Sequence, residues 1–225
     1  AIVLNVVRDG GSAAIVWNNI KAHGDINLAF ELLAVGDQTI KAQACESIKA
    51  LSTPAIPGQA PRVSAQELVK RGVGPTLLQI IADDAESALE ARRVAAECLV
   101  IMTGDPASHE SLAEAGIGRA LPKLMAIPSK AASGIPQEHN PALIIATNLL
   151  VPSGNDEETS QAPIMGKQSR RLWAKLFESK ETMGLFFGSL KGFLENPAMV
   201  ETGEAVRAAA IVASLDTKRT LEAKL

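Results

Sequence analysis

Tyrosine is absent from this sequence, and only seven aromatic residues stand among its 225. Five of them, Trp173, Phe177, Phe186, Phe187 and Phe193, fall within one short stretch; the others are Trp17 and Phe30. Elsewhere the core has to be built from Leu, Ile, Val and Ala, which suits closely packed helix layers. A strong excess of either charge is missing as well. A net charge of −3 leaves no electrostatic footprint for nucleic acid or an anionic membrane surface. No apolar run approaches the ~18–20 residues that span a bilayer. Cysteine is scarce: Cys45 and Cys98 are too few for a disulfide framework, and both read as buried thiols in Ala-rich helical pattern rather than as a bridge. There is no Asn-x-Ser/Thr sequon, which fits an intracellular, cytoplasmic protein.

Signals for chemistry are missing too. The sequence holds no phosphate-binding glycine loop and no dinucleotide fingerprint, and almost nothing in it reads as strand. His23, His109 and His139 stand apart, with no metal-ligand spacing and no cysteine beside them. The expectation is a protein that is not an enzyme and carries neither cofactor nor metal.

What is present is a repeated structural sentence. Lys70-Arg71-Gly72-Val73-Gly74 returns as Glu114-Ala115-Gly116-Ile117-Gly118, a separation of 44 residues from Gly72 to Gly116. Each time a short helix closed by Gly precedes a second helix and then a longer Ala-rich one, a period typical of helical solenoids. The first of these short helices opens on a capping box, Ser64-Ala65-Gln66-Glu67, in which Ser64 accepts from the Glu67 backbone N–H and Glu67 reaches back. Pro75 reads as the first position of the helix over 75–82, with Leu77, Leu78 and Ile81 on its apolar face. Upstream, Ser12 is the candidate N-cap of a helix over 12–22, Asp25 caps 26–35, and 38–51 is long. Downstream, Asp105-Pro106 is a cap with a first-turn proline, and helices follow over 119–126, 141–150, 169–178, 183–194 and 201–215. The Pro/Gly-rich stretches 52–63, 127–140 and 151–168 are loop insertions. The sequence opens and closes inside helical pattern, which reads as a fragment of a longer array.

Laid over one another, the long helices fall in register as Ala44-x-x-Ser47-Ile48-x-Ala50-Leu51, Ala95-x-x-Cys98-Leu99-x-Ile101-Met102, Ala142-x-x-Ile145-Ala146-x-Asn148-Leu149 and Ala208-x-x-Ile211-Val212-x-Ser214-Leu215. Asn5 holds the corresponding place in a truncated first copy. This pattern resembles the third helix of armadillo repeats, whose consensus has the form Ala-x-x-Ala-Leu-x-Asn-Leu, and the resemblance covers essentially the whole chain. It implies an all-α, right-handed α-solenoid of three-helix repeats in one domain over 1–225, with repeat cores at 1–9, 12–51, 64–102, 105–150 and 169–215.

The resemblance further implies a protein-binding scaffold or adaptor whose third helices line a concave groove for a partner segment, extended or basic. The importin-type version places Trp four residues before each Asn. Here that position is Ala1, Glu46, Glu97, Ile144 and Ala210, which argues against nuclear-localisation peptides bound in the importin manner. The Asn position itself is Asn5, Ala50, Ile101, Asn148 and Ser214. Candidate partner-binding residues are therefore Asn148, Asn5, Glu46, Glu97 and Ile101. Asn148 either holds a partner's backbone by two hydrogen bonds or ties its own repeat. Glu46 and Glu97 either favour a basic segment or are solvated helix charges. Trp173 and Phe177, one turn apart, read as core stripe or interface anchor. Acidic Asp156, Glu157 and Glu158 and basic Lys167, Arg170, Arg171 and Lys175 flank one another across the longest loop. Other readings are a myosin-directed chaperone of the UNC-45 type and a structural subunit of a large assembly.

Overall fold

The computed structural model describes residues 10–127, 140–150, 172, 175–177 and 179–195, all of them in helices, turns and connections with no strand among them. Two compact units divide the chain, one ending at Ser108 and the other starting at His109.

The first unit opens with α1 (Gly10–His23), α2 (Ile26–Val35) and α3 (Gln38–Ser52). Asp25 caps α2 by accepting from the Leu28 N–H, and Asp37 caps α3 by accepting from the Ile40 N–H. Ser12 lies inside α1 rather than at its start, because the helix already runs from Gly10. After an exposed connection come α4 (Ala65–Lys70), α5 (Val73–Ala82), a 3-10 turn at Glu86–Ala88 and α6 (Leu89–Thr103). Only half of the expected capping box forms at α4. The Ser64 hydroxyl accepts from the Glu67 N–H at 3.2 Å, but the Glu67 carboxylate takes Arg71 at 2.8 Å instead of turning back. A full guanidinium charge four residues along outcompetes one backbone N–H for the carboxylate.

Gly72 ends α4 and N-caps α5 with φ +70°, so α5 begins at Val73, two residues ahead of Pro75. Side chains carry a Cβ that disfavours this left-handed backbone, whereas glycine adopts it freely. The second unit repeats the arrangement: α7 (His109–Glu114), Gly116 at φ +92°, α8 (Ile117–Met125) and α9 (Pro141–Leu150). It also holds α10 (Lys180–Leu194). The helix order that the armadillo resemblance implies, short helix, left-handed glycine, second helix, long helix, is thus present twice. Expected helices over 169–178 and 201–215 fall largely or wholly outside the described residues, as do Asn5, Trp173 and Ala208.

The long-helix register coincides with burial. Ala44, Ser47, Ile48 and Leu51, then Ala95, Cys98, Leu99 and Met102, then Ala142, Ile145, Ala146 and Leu149 are all buried, none more than 4% exposed. Within the first unit α3 and α6 form its most extensive helix pair, with α2 against α3 and α5 against α6. Alanine at 44 and 95 lets the long helices come close. Ala95→Leu is expected to overpack that contact and lower stability by ~1–3 kcal/mol; an unchanged urea-unfolding midpoint would show that Ala95 does not sit at a tight helix contact.

Candidate functional site

The side of α3 and α6 left outside the core is a strip of mainly polar residues about one helical turn apart, with Val100 and Ile101 at its α6 end. On α3 it comprises Thr39, Gln43, Glu46, Lys49 and Ala50; on α6 it comprises Glu90, Arg93, Glu97, Val100 and Ile101. Because positions 46 and 97 hold the same place in adjacent long helices, side-by-side packing of α3 and α6 brings their carboxylates into one neighbourhood. Lys49 joins them. Its Nζ lies 2.6 Å from Glu97 Oε2 and 3.1 Å from Glu46 Oε2, with all three side chains roughly one-third exposed. Burial by itself lowers the Lys49 pKa, but hydrogen bonds to Glu97 and Glu46 outweigh it and leave the ammonium above the ordinary lysine range. Whatever stability this lysine contributes is therefore complete at neutral pH and is lost as pH rises from the ordinary lysine value through the raised folded one.

Lys49 is not among the positions that the long-helix register picks out. Its position three residues after Glu46 marks a same-helix pair, and that signal was legible. Its reach to Glu97, 48 residues away, follows only from the stacking of α3 on α6. Arg93 is similarly taken, by Glu90 at 2.8 Å. The trio of two carboxylates and one ammonium keeps one net negative charge on an accessible face.

The other candidates are placed less closely together. Ile101 is half-buried one turn beyond Glu97 on α6, and Ala50 is exposed at the equivalent point of α3. Asn148 sits half-buried on α9 of the second unit and is already engaged in an interaction within the protein. Lys175 donates to Glu110 at 2.7 Å and Glu114 at 2.8 Å on α7. Asp156, Glu157, Glu158, Lys167, Arg170 and Arg171 lie outside the described residues. A polar cavity of about 230 Å³ beside Lys175 is lined by Glu114, Gly116, Arg119 and Thr182. The two carboxylates on Lys175 neutralise it there, so the cavity has no surplus of positive charge from that residue. Phe177 packs on Phe186 with ring centroids 5.6 Å apart.

Among the described residues no group of three or more His, Cys, Asp or Glu is arranged to hold a metal ion. None of the described helices is long and apolar enough to cross a membrane.

No protein-family profile matches the chain. No curated protein matches it either. Among solved structures, a designed armadillo repeat protein in complex with the peptide (KR)4 aligns with 88% of this chain and 84% of its own, at 13% identity and a TM-score of 0.45.

Proposed function

We propose that this protein is a non-catalytic interaction scaffold, an adaptor of the cytoplasm. In this reading the three-helix repeats continue as one right-handed armadillo-like solenoid through residues 1–225, and the long-helix face takes an extended, basic segment of a protein partner. The observation that carries the reading is the Glu46–Lys49–Glu97 trio. Its carboxylates are accessible, they are shared by a single ammonium, and a partner's arginine offers a planar fork of donors that one lysine cannot match. Such an arginine takes one carboxylate from Lys49 without leaving any charge unpaired. Ile101 then supplies an apolar neighbour on the same helix, and Asn148 and Asn5, at the equivalent points of other repeats, hold the partner's backbone.

Fluorescence anisotropy with labelled basic, neutral and acidic peptides tests this. The basic peptide is expected to bind most tightly. Glu46→Gln and Glu97→Gln are each expected to weaken it by ~0.2–1 kcal/mol, up to about fivefold, because exposed ion pairs contribute no more. The preference should fade as salt screens it. Equal binding of all three peptides, or an affinity unmoved in the double variant, would overturn the proposal. Affinity purification from cells separates it from its neighbours: a fixed stoichiometric complex marks a structural subunit, and exchangeable partners mark an adaptor.

A further inference from the structure

Both cysteines of the chain lie at 0% exposure on α3 and α6, which pack on one another within the first unit, and both are free thiols. The Cys98 Sγ–H donates to the Cys45 carbonyl oxygen at 3.3 Å. The Cys98 thiol is pushed well above its ordinary pKa, first by the neighbouring Cys45 thiol and second by complete burial. The Cys98 sulfur therefore rests against the Cys45 backbone. A disulfide needs Cα atoms within about 7 Å of each other, and a sulfur in contact with the carbonyl oxygen of the other cysteine brings the two backbones near that reach.

We propose that Cys45 and Cys98 are a latent cross-link, closing to an intramolecular disulfide between α3 and α6 under sustained exposure to a peroxide.

The chemistry follows from the surroundings. In a local opening one thiol loses its proton, and the thiolate attacks a peroxide oxygen. The O–O bond breaks, water leaves once the proton is returned, and a sulfenic acid remains. The second sulfur then attacks the first, forming the S–S bond and expelling the hydroxyl as a second water. In sum two thiols and one hydrogen peroxide give one disulfide and two waters; the sulfurs are oxidised and the peroxide is reduced. What burial decides is the fate of the sulfenic acid. Its neighbour is already beside it, whereas glutathione or another protein's thiol has no path to it while the pair is buried. A protonated, buried thiol reacts slowly, so the pair is no rapid sensor. Once formed, the bond is shielded from the same reductants that could not enter. It would also fix the spacing of Glu46 and Glu97, each the immediate neighbour of a bridging cysteine. The inference does not depend on that face binding anything.

The test treats the full chain with hydrogen peroxide, denatures it in the presence of N-ethylmaleimide, and measures intact mass with peptide mapping. The expected result is a monomer lighter by two hydrogens, carrying no maleimide, with a peptide joining positions 45 and 98 that dithiothreitol separates. Cys98→Ala should leave Cys45 alkylatable or sulfinic but never bridged within the chain. Two alkylated cysteines, sulfinic acid at both positions of the natural chain, or disulfide only between chains would each overturn it. Since all three results are read on the natural protein, a poorly folded variant does not shield the proposal.

Discussion

Gly118→Ala is expected to destabilise the second unit by about 3 kcal/mol or more, at the upper end of what forced overpacking costs. A methyl group on Gly118 would collide with the Leu176 carbonyl oxygen, and would lie 2.6 Å from the carbonyl carbon and 2.9 Å from the Cα of the same residue. Backbone cannot rotate aside as a flexible side chain does, so the segment around Leu176 has to lift from α8. Leu176 is itself buried, and that burial would be weakened with it. Gly116, two residues earlier, makes the contrast. Nothing lies within 4 Å of a methyl there, yet its φ is +92°. Gly116→Ala is limited to the left-handed backbone term, roughly 1–2 kcal/mol. Urea-unfolding midpoints of the two variants separate the causes. Equal losses, or a Gly118→Ala protein as stable as the natural one, would show that Leu176 does not press on α8.

That pair of glycines marks how far the sequence could be read. The repeat Gly-Val-Gly and Gly-Ile-Gly revealed the helix junction twice, since a left-handed glycine after a short helix is a local requirement. Local chemistry also placed the caps at Asp25 and Ser64, because a side chain and the N–H it accepts from are three residues apart. Three copies of the long-helix stripe were legible for the same reason: helical spacing alone decides which residues share a face. What stayed hidden were contacts between residues distant in sequence. Arg62 donates to the Lys21 and Ala22 carbonyls at the end of α1, 41 and 40 residues away, and so anchors the Pro-rich connection. Lys49 reaches Glu97, and Leu176 lies over Gly118. Each depends on how one helix stacks upon another, and an alternation of apolar and polar residues carries no information about that separation. On the candidate face, the sequence identified Glu46 and Glu97 as equivalent positions, but the shared lysine that sets their charge belongs to the stacking.

The largest loss from a single truncation in the described core is expected at Phe186→Ala, about 3–5 kcal/mol. Phe186 is the largest of the side chains at under 2% exposure. Its ring packs at 5.6 Å from Phe177 and 5.8 Å from Phe187, in tilted geometries that add to the area it buries. Among the described residues the neighbouring rings, Phe177 and Phe187, are half-buried and already lean on Phe186, so neither fills the space. Phe186→Leu keeps most of the volume and should lose markedly less, and that comparison distinguishes a cavity from a general failure of α10 to dock. The ranking rests on packing rather than propensity: α10 carries exposed Gly184 and Gly188, poor helix formers, so its stability comes mostly from what its buried face rests upon. Parallel denaturant unfolding of the two variants, followed by circular dichroism at 222 nm, reads the difference. If alanine and leucine at this position cost the same, the loss does not scale with the cavity left behind, and α10 fails to dock in both variants.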